Sequence, residues 1–289
     1  MSGAPPVSSA PAAAVGEVTV AQYPLALDGV VTRVLDTIVG DDVLVCLHGA
    51  GSRADRWRPV MPLLAAAGFR VVALDHPGHG LAQRPEGYPH GTPAYTRVAR
   101  ALLDELDLGA VTMLGTSLGG HVAATAAVAD PSRVRATVLI GAVGLTPRPP
   151  EDAAAGSPIV DTSEAGTRAK LEFLVHDQSL VTDEWVREET LIGNAPGTAE
   201  ARAELARYLA EDRPEDLVGE AYAALGLPTR LIWGAEDRWI TPAVGEAVAR
   251  IVPHAELSLL PGTGHAPYYE RPEAFTELVL PFLDTHARG

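Results

Sequence analysis

The sequence predicts an α/β domain in which a mostly parallel central sheet is flanked by helices and interrupted by a helical insertion. Short apolar runs such as residues 43–47 and 110–114 alternate with segments of helical spacing, as buried parallel strands and their crossover helices do. The alternation stops after residue 144 and resumes at residue 227, and charged amphipathic segments without a strong strand lie between. We therefore assign residues 16–144 and 227–289 to the α/β core, residues 145–226 to the insertion and residues 1–15 to a flexible tail.

The predicted elements follow one another in a regular order. Residues 30–39 begin with alternating apolar and polar side chains, which favours a half-exposed antiparallel strand beside the parallel ones. The other predicted strands cover residues 17–23, 43–47, 70–74, 110–114, 135–143, 229–233 and 255–260. The predicted helices cover residues 54–67, 93–106, 120–129, 242–251 and 272–284, with amphipathic segments at 169–176, 183–192 and 198–209 in the insertion.

The composition restricts the partners of the protein. A net charge of −15 argues against a nucleic-acid partner and would repel anionic lipid. No run of 18 apolar residues is present, and residues 1–15 lack the basic and apolar segments of a signal peptide. The one cysteine, Cys46, lies in an apolar run, which favours a buried residue in a reducing compartment. We expect a soluble cytoplasmic protein that binds a small molecule, needs no metal or cofactor, and has no membrane partner; a homodimer stays open.

The pattern Gly-x-Ser-x-Gly at residues 115–119 predicts a catalytic nucleophile. It stands between an apolar run and an Ala-rich run, so Ser117 occupies the turn from a strand into a helix. Such a turn holds the serine hydroxyl clear of the sheet, and the glycines avoid collisions of a Cβ with neighbouring backbone. The pattern alone is weakly specific, and its context has to support it.

A serine hydroxyl needs a base, and a suitable base and acid follow Ser117 along the chain. His265 lies in a glycine-rich loop after the last predicted strand, and Asp237 follows the strand at residues 229–233. Asp237 would hold the tautomer of His265 and stabilise its protonated form. Glu236 is the alternative acid, and we favour Asp237. The backbone N–H groups of Ala50 and Leu118 are the expected oxyanion hole.

Together these motifs resemble the α/β-hydrolase superfamily over roughly residues 17–285. The resemblance rests on residues 48–51, 75–80, 115–120, 233–237 and 264–265, in that order and at predicted strand ends. It implies an α/β-hydrolase fold in which the equivalents of Ser117, Asp237 and His265 form the triad and the insertion is a lid over the pocket. Dehalogenases and epoxide hydrolases of the superfamily carry aspartate in place of this serine, so we disfavour both activities.

The resemblance is less specific about the substrate than about the superfamily. Residues 179–184 are similar to the lid of the meta-cleavage-product hydrolases, which cut C–C bonds in vinylogous diketo acids. Those enzymes carry an arginine further along the lid and a tryptophan after the catalytic histidine, whereas Glu189 and Ala266 stand at these places, with Arg187 close by. We therefore expect a serine hydrolase of a small to medium, moderately apolar ester or lactone, with C–C hydrolysis as the alternative. The candidate substrate-binding residues are Gly49, Gly51, His121, Trp185, Trp239 and Ala266.

Other functional classes also have sequence support. Residues 49–54 satisfy the dinucleotide-binding pattern G-x-G-x-x-A, with Asp75 at the end of the next strand. Two predicted strands precede this pattern, however, and the dinucleotide interpretation leaves Ser117 and His265 unexplained. A non-catalytic binding protein of the same fold would not need an intact triad. Asp75, His76 and His79 could bind a metal, but their Pro-Gly spacing favours a strand-end turn.

Overall fold

Eight strands form one sheet in the computed structural model, which describes residues 18–147, 159–211 and 214–289. The strands are β1 (Ala21–Leu27), β2 (Val30–Asp36), β3 (Asp42–Leu47), β4 (Phe69–Leu74), β5 (Val111–Thr116), β6 (Val134–Ile140), β7 (Thr229–Gly234) and β8 (Glu256–Leu260). Their order in the sheet is β1-β2-β4-β3-β5-β6-β7-β8. The β1–β2 and β2–β4 pairs are antiparallel, and every pair from β4 to β8 is parallel. The predicted tail at residues 1–15 lies outside the described residues.

Helices cover both faces of this sheet, as the alternating pattern predicts. In the core they are α1 (Met61–Ala66), α2 (Thr92–Glu105), α3 (Leu118–Ala129), α8 (Pro242–Ile251), α9 (Pro267–Glu270) and α10 (Pro272–His286). Within β3, Val45 and Leu47 pack with α2, α3 and α8, while Leu44 and Cys46 pack with α1 and α10. Cys46 is fully buried, which confirms its prediction as a core residue.

The first hairpin shifts the two early strands from their predicted bounds. The strand predicted at residues 17–23 is β1 at Ala21–Leu27, because Asp28 and Gly29 form a two-residue turn that pairs Leu27 with Val30. Both turn residues have positive φ, at 48° and 78°, which suits the twist of a tight hairpin. β2 ends at Asp36, before the predicted residue 39, since Ile38 has a φ of 58° and its N–H donates to the Asp36 carboxylate.

The helix predicted at residues 54–67 is broken into two pieces. Ala54–Trp57 is a 3₁₀ turn, and α1 begins at Met61. The break follows from Pro59 and Pro62, which have no N–H to donate to the carbonyls four residues earlier. The intervening N–H groups bond three residues back instead, Arg58 to Asp55 and Val60 to Trp57.

The insertion between β6 and β7 is helical, in agreement with its amphipathic segments. It contains α4 (Glu164–Leu174), α5 (Asp183–Gly193), α6 (Thr198–Ala210) and α7 (Gly219–Ala223), with short 3₁₀ turns at Gln178–Leu180 and Pro214–Asp216. The side chains of Ser163 and Thr182 accept backbone hydrogen bonds at the starts of α4 and α5. Most of the Pro/Ala/Gly stretch at its start, residues 148–158, lies outside the described residues. No helix in the described ranges is long and apolar enough to cross a bilayer.

Candidate active site

Ser117 lies at a strained turn between β5 and α3. Its φ of 54° and ψ of −121° are rarely adopted by a residue with a side chain. Its N–H donates to the Ile140 carbonyl at the end of β6, and its own carbonyl accepts from Gly120 and His121 in the first turn of α3. These bonds hold the strained conformation and place the side chain at the carboxyl edge of the parallel strands.

Close packing around this turn explains the glycines of the motif. A Cβ on Gly115 would overlap the Gly119 carbonyl, and a Cβ on Gly119 would overlap the Leu47 carbonyl at the end of β3. The helix can therefore approach the sheet only with glycine at both positions. This packing places Ser117 against the loop after β3, where a Cβ on Gly49 would lie 3.1 Å from the Ser117 Cβ.

The structure joins His265 to Asp237 and not to Glu236. The Asp237 Oδ2 lies 2.7 Å from His265 Nδ1, and both side chains are buried. The other oxygen, Oδ1, accepts from the N–H groups of Trp239 and Ile240, so the carboxylate has one orientation. The Glu236 carboxylate instead accepts from the N–H groups of Gly262 and Thr263 and braces the loop before His265.

The His265 ring lies beside the segment that holds Ser117. A Cβ on Gly141, directly after Ile140, would lie 3.0 Å from His265 Cε1 and 3.3 Å from Asp237 Oδ2. Among the described residues the Ser117 hydroxyl donates no hydrogen bond to the imidazole. Such contacts are often long in unliganded enzymes and tighten when substrate binds. The three predicted residues therefore lie at one edge of the sheet, with the acid–base half already hydrogen-bonded.

Two backbone N–H groups beside Ser117 are available as donors. Within residues 18–147, 159–211 and 214–289, neither the Ala50 nor the Leu118 N–H has a hydrogen-bond acceptor. Leu118 directly follows Ser117, and Ala50 follows the glycine that contacts it. Free N–H groups on the two sides of a serine can stabilise an alkoxide that develops there.

The six candidate substrate-binding residues occupy different surroundings. Gly49 contacts Ser117, and Trp239 stacks on the His265 ring with centroids 5.5 Å apart. The ring nitrogens of His121 bond to the Thr92 hydroxyl and the Asp216 carbonyl. Gly51 lies against Ile159 of the insertion, and Trp185 lies beside Tyr269. Ala266 is buried at the start of α9.

Glu270 connects the His265 loop to the insertion, which sequence reasoning did not detect. Its Oε1 accepts from Gly264 N–H at 2.7 Å, and its Oε2 accepts from His176 N–H at 2.6 Å. The His265 N–H itself donates to the Leu174 carbonyl at the end of α4. The insertion therefore contributes directly to the position of the imidazole. A carboxylate five residues after the histidine is the only sequence signal, and by itself it does not identify such contacts.

Asp75 braces two loops instead of binding a nucleotide ribose or a metal. Its buried carboxylate accepts from Arg33, from Ala54 N–H at 2.7 Å and from Leu81 N–H at 2.9 Å. These bonds connect the loop after β3 to the loop after β4, so the dinucleotide interpretation loses its acidic residue. The described residues also contain no group of three or more His, Cys, Asp or Glu side chains that could hold a metal ion.

Glu189 lies in a buried cluster of positive charges between the insertion and the loop after β3. Its carboxylate is 3.2 Å from Arg53, 3.1 Å from Arg56 and 3.7 Å from Lys170. Burial opposes its ionisation, but the charges of Lys170, Arg56, Arg53 and Arg202 outweigh burial and lower the pKa of Glu189 to about 2. We call these five residues the cationic cluster. Glu189 is surrounded by positive charge, so its place in the insertion does not by itself disfavour an anionic substrate.

Three cations of this cluster pair with the buried Glu189 carboxylate, and the fourth, Arg202, acts on it through its charge. Arg53 has additional acidic partners in Asp55 and the exposed Glu188. Burial lowers the pKa of Lys170 to about 8, and its ammonium group donates to the Gly51 carbonyl at 3.1 Å. The excess of positive charge therefore adjoins the loop that carries Ala50, although the whole chain is acidic.

Three buried histidines lie behind the same loop. The ring centroids of His48 and His76 are 4.5 Å apart, and those of His48 and His79 are 5.2 Å apart. Burial lowers the pKa of His48 to about 4, and burial together with the neighbouring histidines holds the pKa values of His76 and His79 well below their usual range. The fold therefore requires the neutral form of all three rings.

These histidines predict a loss of stability in mild acid. The unfolded chain binds protons below about pH 6.5, whereas the folded His48 resists protonation until about pH 4. The neutral histidines therefore contribute fully to the free energy of unfolding above pH 6.5. This contribution is lost as the pH falls from 6.5 towards 4, and His48 alone accounts for about 3 kcal/mol of the loss. Urea titrations between pH 7.5 and 4.5 should follow this fall. His79→Gln should make the free energy of unfolding depend less on pH, whereas replacement of the exposed His254 by Gln should leave this dependence unchanged. The same pH dependence in both variants would contradict the proposed role of the buried histidines.

Comparison with known proteins shows the family to which the chain belongs. The sequence model described as the alpha/beta hydrolase family matches residues 44–278. The chain is 31% identical to a 2-hydroxy-6-oxononadienedioate/2-hydroxy-6-oxononatrienedioate hydrolase of Cupriavidus pinatubonensis, over 86% of this chain and 89% of that protein. It is 29% identical to a 2-hydroxy-6-oxo-2,4-heptadienoate hydrolase of Pseudomonas putida, over 88% of this chain and 93% of the relative. Among solved structures, it resembles a meta-cleavage product hydrolase of Pseudomonas fluorescens, with a TM-score of 0.79, 25% identity, and coverage of 91% and 97% of the two chains.

Proposed function

Because the chain belongs to the alpha/beta hydrolase family, we propose that it is a serine hydrolase that cleaves a carbon–carbon bond in a 2-hydroxy-6-oxo-dienoic acid. The cationic cluster beside the Ala50 loop is the observation that carries this choice of substrate. The relatives named for such substrates support it. The sequence alone favours an ester, and this proposal reverses that order.

In the proposed reaction Ser117 attacks the ketone carbon at position 6 of the keto form of the substrate. His265 takes the hydroxyl proton while Asp237 holds its other nitrogen, and the N–H groups of Ala50 and Leu118 bind the resulting oxyanion. The bond between carbons 5 and 6 then breaks, and its electron pair is delocalised through the adjoining enone to form a dienolate, which takes up the proton held by His265. Water, deprotonated by His265, releases the acyl group from Ser117 as a carboxylic acid.

The cationic cluster fits the leaving group of this reaction. A carbon leaving group departs only if its electron pair is delocalised, and here the pair joins a system that already carries a carboxylate. Arg56 and Lys170, both nine-tenths or more buried, have Glu189 as their shared carboxylate partner among the described residues. Positive charge in a desolvated site stabilises a developing anion far more than it would in water. The insertion, which supplies Lys170 and Glu189, would act as the lid over this site.

Ester hydrolysis is the second candidate, and Ala266 favours it. By the resemblance, the small side chain after His265 stands where the meta-cleavage-product hydrolases carry a tryptophan, and Glu189 stands near the place of their lid arginine. The same nucleophile, base and N–H donors would serve an ester without any need for the cationic cluster. Ester hydrolysis thus predicts activity that is indifferent to charge at Arg56.

Product analysis separates these two functions. We expect the purified protein to convert a 6-alkyl 2-hydroxy-6-oxohexa-2,4-dienoic acid into equal amounts of a carboxylic acid and a 2-hydroxydienoic acid, both identified by NMR. Ser117→Ala serves as the control for spontaneous decay of the dienol. Persistence of the dienol in the presence of protein that still cleaves p-nitrophenyl esters would assign the site to ester hydrolysis.

Substitution of Arg56 tests the role of the cationic cluster. We expect Arg56→Met to lower kcat/KM for the dienoic acid by at least about 10-fold, or about 1.4 kcal/mol, because a desolvated partner of the anion is lost. The value for a neutral p-nitrophenyl ester should change less than about 3-fold. Arg58→Met is the matched control, since Arg58 belongs to the same segment but pairs with Asp55 at the surface. Equal losses on both substrates would remove the cluster from substrate recognition.

A further inference from the structure

His48 is buried directly after β3, and both of its ring nitrogens have backbone partners. Nε2 lies 2.9 Å from the His76 N–H, and Nδ1 lies 2.8 Å from the Gly49 carbonyl oxygen. A backbone N–H can only donate, so Nε2 accepts and carries no proton. Because burial keeps the ring neutral, with a pKa of about 4, its proton is on Nδ1. His48 therefore donates to the Gly49 carbonyl.

The Gly49 carbonyl and the Ala50 N–H belong to the same peptide unit. No cis peptide occurs among the described residues, so this N–H points away from the carbonyl. The carbonyl is held from one side by His48 Nδ1 and by the Ser52 N–H at 3.2 Å. Gly49 lies beside Ser117, and among the described residues the Ala50 N–H has no acceptor of its own.

We infer that His48 is a positioning residue for the oxyanion hole: its Nδ1–H orients the Gly49–Ala50 peptide and makes the Ala50 N–H a better donor. Orientation matters because the loop contains two glycines and Ala50, which allow the peptide alternative conformations. Donation to the carbonyl also polarises the peptide, and chains of such bonds strengthen one another by roughly 10–30% per bond. The His76 N–H keeps the imidazole in the required tautomer, so the loop after β4 contributes to the same donor.

Two substitutions separate the functions of the two ring nitrogens. The side-chain amide of asparagine reaches the position of Nδ1 and can donate to the Gly49 carbonyl, but it does not reach the His76 N–H. The glutamine amide oxygen reaches the position of Nε2 and can accept from His76, but its amide nitrogen does not replace the Nδ1 donor. His79→Gln is the matched control, because His79 is a buried ring in the same group without a bond to Gly49.

The inference rests on the proposed function, so Ser117→Ala is measured first. If that variant keeps wild-type turnover, the proposed function fails and His48 has no oxyanion hole to position. If Ser117→Ala is inactive, kcat, KM and the inhibition constant of an alkyl boronic acid, which forms a tetrahedral anion on serine, are measured for the His48 and His79 variants. Melting temperatures are recorded for all of them.

We expect His48→Gln to lower kcat by about 10- to 100-fold, less than complete loss of an oxyanion donor. Its KM should stay within about 2-fold, and its boronate inhibition constant should rise in proportion to the loss in kcat. His48→Asn should recover kcat to within about 5-fold of wild type even if it is the less stable variant, and His79→Gln should keep both values. Equal losses in the Asn and Gln variants, or a loss in kcat without a loss of boronate affinity, would overturn the inference.

Discussion

Ser117→Ala is expected to lower kcat by at least about 10³-fold with an unchanged fold. The loss follows because the substitution removes the hydroxyl that lies beside the free N–H groups of Ala50 and Leu118. The fold should persist because alanine at a φ of 54° is strained no more than serine, and the Ser117 N–H to Ile140 bond involves backbone only. Turnover of the dienoic acid and the melting temperature are the measurements.

The exposed Ser132 provides the control for this substitution, because its hydroxyl bonds to Asp130 at the surface. Ser132→Ala should keep wild-type turnover. Wild-type turnover in a folded Ser117→Ala protein would contradict the mechanism, whichever bond the enzyme cleaves.

Asp237→Asn is expected to lower kcat by about 10³- to 10⁴-fold, because an amide in place of the carboxylate stabilises the wrong tautomer of His265. The substitution keeps the size of the side chain and one oxygen that can accept from Trp239 and Ile240. KM should change little, since Asp237 is buried behind the imidazole and acts through it. Steady-state kinetics on one substrate are sufficient.

Glu236→Gln is the matched comparison for Asp237→Asn. Its carboxylate accepts two backbone N–H groups and does not contact His265, so we expect a lower melting temperature and a change in kcat below about 3-fold. A greater loss of kcat in Glu236→Gln than in Asp237→Asn would mean that the acid is assigned to the wrong neighbour.

The turn around Ser117 could be predicted because its constraints are local. Gly115 and Gly119 lie within two residues of the serine, and their close contacts are imposed by a sharp connection between any strand and helix. The ends of the predicted strands also indicate which residues come together, since side chains that follow neighbouring parallel strands meet at one edge of the sheet. His265 and Asp237 could be paired on this basis, although Glu236 was excluded only by the observed contacts.

The surroundings of Glu189 could not be predicted, because they depend on contacts between distant segments. Arg53 and Arg56 precede Glu189 by more than 130 residues, and Lys170 and Arg202 come from two other helices of the insertion. Nothing in the sequence near Glu189 indicates that four cations surround it. Net charge averages over a whole surface and does not describe one buried site. The order of ester and C–C hydrolysis changed for this reason.

The functions of His48 and Glu270 were also beyond sequence reasoning. His48 belongs to a recognised motif, but the bond from Nδ1 to Gly49 depends on the position of the loop after β4. Glu270 lies five residues after His265, yet its importance depends on two backbone N–H groups of the insertion. Hydrogen bonds between loops have no periodicity that a sequence pattern could reveal.

The ratio of kcat/KM for a 2-hydroxy-6-oxo-dienoic acid to that for p-nitrophenyl butyrate tests the account most directly. Both substrates would use Ser117, His265 and the same oxyanion hole, so the ratio reports how well the rest of the site recognises an anionic carbon leaving group. We expect a preference for the dienoic acid of more than about 10²-fold, or about 2.7 kcal/mol of transition-state stabilisation. A preference for the ester would contradict it.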